Sequence, residues 1–176
     1  MSLYKNQKEL KPRIEDVARV VFEGDKLKNL LDFVVFLRNN KMAPRWQSVN
    51  SWVAGGVCYI KIFDDENLWW VSPNLNFGAG EYEKHITDDE MKELVWGNLH
   101  NRQCRTQCSG YIDKALWGKK FDRICFCFSV RIKNPEGAAL ECLKKMILLM
   151  KTVKADLEKA RAAGAPQGLG IGGNAI

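Results

Sequence analysis

Apolar side chains at Ile14, Val17, Val20 and Val21 recur at the spacing of one helix face, which predicts a helix over residues 13–22. Gly24 breaks it. Asp25 is then placed to cap a second helix running to about Arg38, with Leu27, Leu30, Leu31, Val34, Val35 and Leu37 as a wide apolar face. Asn39-Asn40 ends that helix, and Pro44 keeps the next segment from continuing helical. The period then shifts to two. Residues 46–53 alternate loosely, Gly55-Gly56 permits a tight turn, and the run VCYIKIF at 57–63 is rich in β-branched and aromatic residues. Asp64-Asp65-Glu66-Asn67 forms a polar turn, LWWVS at 68–72 returns as the second arm of a hairpin, and Pro73 stops it.

Downstream, residues 74–86 read as a loop, and Thr87 with Glu90 fits a capping box before a short helix with Met91, Leu94 and Val95 inward and Gly97 at its end. Residues 98–122 carry no clear period. A last strand is predicted over residues 123–132, with Ile124, Phe126, Phe128, Val130 and Ile132 on one face. Asn134-Pro135 then gives a cap and first turn for a helix to about Ala163, whose stripe is Leu140, Leu143, Ile147, Met150 and Leu157. These elements predict an α+β fold: an antiparallel sheet of four or five strands packed by an N-terminal helix pair and a long C-terminal helix. Residues 1–163 read as a single α+β domain and 164–176 as a flexible Gly/Ala-rich tail. The Gly168-x-Gly170-x-x-Gly173 match in that tail follows a helix instead of a strand, so it is not a dinucleotide fingerprint.

Composition narrows the class. Of 176 residues, 46% are hydrophobic, enough for a core. No apolar run nears the ~20 residues of a membrane span, and the polar N-terminus lacks a secretory h-region. The six cysteines match no disulfide scaffold and read as reduced thiols, which points to the cytoplasm. The formal charge of +6 is uneven: residues 1–45 have ten Lys/Arg against six Asp/Glu, residues 46–98 three against nine, and residues 99–176 fourteen against six. Most tryptophans fall in the acidic middle segment, an arrangement that argues against a nucleic-acid partner.

Two clusters carry candidate chemistry. Trp46, Trp52, Tyr59, Trp69, Trp70 and Tyr82 gather around the hairpin, with Glu81 and Glu83 near in sequence. Neighbouring residues on a strand point to opposite faces, so only one of Trp69 and Trp70 can join the main core. An aromatic box with a carboxylate suits a small apolar or cationic molecule; the competing reading is that these rings simply fill the core. The second cluster is Cys104, Cys108, Cys125 and Cys127, with His100 before it. Four thiolates brought together would hold structural zinc, although C-x-x-x-C with C-x-C is not a common zinc spacing, and the plain alternative is four small buried hydrophobes. No nucleophile-elbow, zincin, P-loop or paired-carboxylate motif is present, and His85 beside Glu83 is weak support for a general base. The leading expectation is therefore a non-enzymatic small-molecule-binding or sensing domain. A zinc-bearing interaction module and an enzyme of another kind are the alternatives. The stripe of the last helix, interrupted by Lys154, is also a candidate homodimer seam.

Trp46, Trp52, VCYIKI and Trp69-Trp70, with Cys104, Cys108, residues 118–122 and Ile124-Cys125, resemble bacterial domains of unknown function over about residues 14–155. The combination of sheet, helices and an aromatic pocket with a glutamate also resembles the gyrase-inhibitor-like small-molecule-binding domains. Here two helices precede the hairpin, which departs from that fold's duplicated strand-helix-strand unit. The resemblance implies ligand binding as the class of function and assigns no site residue.

Overall fold

The computed structural model describes residues 6–75, 85–100, 111–125 and 129–163, with residues 111–114 and 123–125 described in their backbone only. The chain is α+β. Its elements run α1 (Gln7–Leu10), α2 (Ile14–Val21), α3 (Gly24–Asn39), β1 (Pro44–Ser48), β2 (Ser51–Ala54), β3 (Cys58–Phe63), β4 (Leu68–Pro73), α4 (Asp89–Gly97), β5 (Leu99–His100), β6 (Tyr111–Leu116), β7 (Lys119–Cys125), β8 (Ser129–Val130), β9 (Ile132–Lys133) and α5 (Gly137–Ala162).

Five strands form one antiparallel sheet in the order β1-β2-β3-β4-β9. The register sets two faces, because directly opposed residues of antiparallel strands point the same way. Trp52, Ile60, Val71 and Ile132 share one row and are buried; Ala54 and Cys58 in the next row are buried too, as are Ile62 and Trp69. Helices α2, α3 and α5 close this face, supplying Ile14 and Val17, Leu30, Phe33 and Leu37, and Leu143, Met146, Ile147 and Met150 to the same core. Phe33 lies 6.2 Å from Trp69, centroid to centroid. Rings of this size bury roughly 150–250 Å² each, worth roughly 4–6 kcal/mol by area, so Trp52 and Trp69 are major contributors.

Polar contacts fix the helices to the sheet. Glu15 of α2 binds Arg38 of α3 at 2.6 Å and Arg13 at 3.3 Å. The Trp52 indole N–H donates to the Pro12 carbonyl, and Gln7 exchanges hydrogen bonds with Asn50 in the β1–β2 turn. Lys154 of α5 donates to the Gly55 carbonyl.

Several boundaries differ from those predicted. Residues 46–53 are not one strand: Asn50, at φ 55°, turns the chain between β1 and β2. Asp25 is inside the first turn of α3, after Glu23, and does not cap it. The cap of α4 is Asp88, not Thr87; its carboxylate accepts from the Glu90 and Met91 amides. Asn134 does not cap α5, which starts after Glu136. Asn134 instead exchanges two hydrogen bonds with the Trp69 backbone, accepting from N–H at Oδ1 and donating its own N–H to the carbonyl, and so ends the sheet. The region without a clear period contains the β6–β7 hairpin, closed by Trp117-Gly118, both at positive φ. The predicted last strand is divided among β7, β8 and β9, with residues 126–128 outside the described residues. The predicted tail, 164–176, also lies outside them. No helix among the described residues is long and apolar enough to cross a membrane.

Candidate functional site

The alternation that buries Cys58, Ile60 and Ile62 turns Tyr59, Lys61 and Phe63 to the other face of the sheet. Register brings Ser51, Lys61, Trp70 and Lys133 into one row there, and Arg45, Val53, Tyr59 and Ser72 into the next. Phe63 and Trp70 lie 6.2 Å apart at 36°. The Lys61 ammonium is 4.9 Å above the Phe63 ring, and the Arg131 guanidinium 5.3 Å from the centre of Trp70. Both cations therefore use the electron-rich ring faces.

These side chains line a hollow of about 780 Å³, completed by Gln47, Ser51, Tyr59, Ser72 and Ser129. The Ser129 hydroxyl is buried without a hydrogen-bond partner among the described residues. No carboxylate is among the described lining residues. A cationic ligand would meet Lys61 and Arg131 already on the rings, whereas a flat anion meets rings and positive charge together. Of the serines in this lining, Ser129 of β8 stands directly opposite His100 of β5, and no carboxylate is beside them among the described lining residues.

The structure divides the predicted aromatic group. Tyr59 and Trp70 come together in the hollow. Trp52 and Trp69 are in the core on the opposite face, so they are not lining residues. Trp46, half-buried opposite Trp52, packs against the core as well. Tyr82, Glu81 and Glu83 lie outside the described residues. Of the proposed zinc ligands, Cys104, Cys108 and Cys127 lie outside the described residues, and Cys125 is described only in its backbone, opposite Tyr111 in β7. Among the described residues, no group of three or more metal-ligating side chains occurs. Cys58 and Cys142 are buried thiols, and burial pushes Cys58 up to about 12. His85 is exposed and does not line the hollow.

Sequence reasoning missed Lys61, Phe63, Arg131 and the three serines. Lys61 and Phe63 were accessible to it: with a four-residue loop at 64–67, the hairpin register sets Lys61 opposite Trp70. Arg131 depended on the placement of β9, which the sequence pattern did not specify.

No family model, no curated protein and no solved structure matches this chain.

Proposed function

We propose that this chain is a non-enzymatic binding domain that seats a flat, negatively charged aromatic molecule on the open face of its sheet. The observation that carries this reading is the pairing of Trp70 and Phe63 with Lys61 and Arg131 on their ring faces. The rings supply a stacking surface, the cations supply charge, and Ser51, Ser72 and Ser129 supply directional hydrogen bonds. The hollow's volume of about 780 Å³ is in the range of small-molecule sites.

The test is tryptophan fluorescence and thermal shift against a panel of aromatic carboxylates and phosphates, with aromatic cations as controls. Anions are expected to quench emission and raise Tm, and Trp70→Ala and Lys61→Ala each to weaken binding about tenfold or more, the loss of one good contact. A panel in which no anion quenches or shifts, or binding that Trp70→Ala leaves intact, overturns the reading.

A further inference from the structure

A second hollow, sharing no lining residue with the one around Trp70, lies toward the β1 edge of the sheet. Lys41, Met42, Ala43, Arg45, Val53, Gly55 and Gly56 line this second hollow, of about 470 Å³. The row Arg45, Val53, Tyr59, Ser72 joins the two, since Tyr59 and Ser72 line the first hollow and Arg45 and Val53 the second. No carboxylate is among the described lining residues of either. Lys41, Arg45, Lys61 and Lys133 are in no ion pair among the described residues. From β1 to β9 the face crosses four inter-strand spacings, about 19 Å.

Of the acidic residues in 46–98, seven are described and none of these lines either hollow; Glu81 and Glu83 lie outside the described residues. Asp64, Asp65 and Glu66 are in the β3–β4 loop, and Asp88, Asp89, Glu90 and Glu93 are at or in α4. A face about 19 Å wide, cationic along its width and carrying three aromatic rings, is larger than one planar molecule needs. It has the two components that hold an unpaired polynucleotide: rings on which successive bases stack, and a positive track for the phosphates.

We propose that the open sheet face binds single-stranded nucleic acid, with bases stacked on Trp70, Phe63 and Tyr59 and the backbone following Lys133 and Lys61 toward Arg45 and Lys41. This deepens the reading of the face as a binding surface and rests on it. A duplex is a poor fit, because its bases are already stacked on one another and cannot reach the rings. Base type is not distinguished, since every base presents a π-face.

The test uses the full chain and fluorescein-labelled oligo(dT) and oligo(U) of about twelve nucleotides, within the usual span of such sites. A duplex of the same length, and dTMP and UMP as competitors, complete the set. The strands are expected to bind with an affinity that falls with salt at a log–log slope of about −3 for four cations. Trp70→Ala is expected to weaken binding about tenfold or more, with thermal melts confirming that the variant is folded. Arg45→Ala is expected to weaken strand binding and flatten the slope by about 0.7. Because Arg45 does not line the first hollow, it is expected to leave the binding of a small aromatic anion unchanged.

Mononucleotides that compete as well as the strand, or Arg45→Ala without effect on the strand, overturn the polynucleotide inference and leave the small-anion reading intact. Equal affinity for the duplex overturns it as well, because charge alone would then explain binding. Failure of strands, mononucleotides and aromatic anions together overturns both.

Discussion

Cys58 is fully buried in the core beneath the sheet, and burial lifts its thiol from the ordinary value of 9.0 to about 12. The sign of the resulting pH dependence follows. The unfolded chain releases this proton near pH 9 and the folded chain retains it, so above pH 9 the folded state binds more protons and stability falls as pH rises, until about pH 12. The slope is about 1.4 kcal/mol per pH unit from this group. Denaturant titrations at pH 8 and 10.5 should therefore show a smaller alkaline loss in Cys58→Ala than in the wild type, by roughly 1–2 kcal/mol. An equal loss in both would show that the thiol is not shielded. A glycine nearby makes a second residue-scale prediction. Gly55 has φ +57°, and an added Cβ would fall 2.8 Å from Met42 Cγ; at Gly56, φ +66°, it would meet only the terminal ammonium of Lys154. Both alanine variants bear the left-handed backbone cost of about 1–2 kcal/mol. Gly55→Ala must also displace a core methionine, so its melting temperature should drop further than that of Gly56→Ala.

At the level of elements, the β3–β4 hairpin was the most legible part of the chain. VCYIKIF and LWWVS alternate cleanly around a four-residue polar loop, and the register follows from that loop. The apolar stripes of α2, α3 and α5 were legible in part: Ile14, Val17, Leu30, Val34, Leu37, Leu140, Leu143, Ile147 and Met150 are buried, but Val20 and Val35, placed on the same faces by spacing, are exposed. What the sequence concealed was turns made at positive φ by residues other than glycine, two of them asparagines, which tolerate it, and one a tryptophan, which rarely does. Asn50 at 55°, Trp117 at 49° and Asn134 at 40° each reverse or end a strand, and nothing in the local propensity of tryptophan marks it as a turn residue. The candidate site was half legible for a related reason. Alternation correctly separates Trp69 from Trp70, but the cations beside Trp70 come from strands whose pairing is a long-range fact. Charge counted along the chain does not resolve this face: the described acidic residues of the middle segment are in a loop and at or in a helix, and Glu81 and Glu83 lie outside the described residues. Asn134 shows how much one such turn supports. Its side chain replaces a ladder partner for Trp69, so Asn134→Ala removes that bond and adds a strained φ, at a cost of about 2–3 kcal/mol, whereas Asn134→Gly loses only the bond, at about 1–2 kcal/mol. Chemical denaturation giving the reverse order would show that Asn134 contributes through some other contact.

For the molecule as a whole, the proposed function divides stability from recognition across the sheet, and two adjacent residues of β4 test each separately. Trp69 has 0% exposure and touches Phe33 of α3, so its loss opens a large cavity between sheet and helices. Trp70 is half-buried on the far side, against Phe63 and Arg131, where solvent can fill the space it leaves. Trp69→Ala should cost about 3–5 kcal/mol, the range for aromatic truncation in a core. Trp70→Ala should cost much less, roughly 1 kcal/mol, because the ring pair and cation–π contact it removes are partly solvated. Binding should show the opposite order: Trp70→Ala abolishes most of the quenching by anionic ligands, and Trp69→Phe, which keeps a ring in the core, preserves it. Iodide quenching offers an independent check, since Trp69→Phe should leave the accessible emission unchanged and so raise its fraction of the total, whereas Trp70→Phe should lower that fraction. If instead Trp69 variants lose binding while stable and Trp70 variants lose stability while binding, the helix-covered face would be the functional one, and the division of labour across the sheet would run the other way.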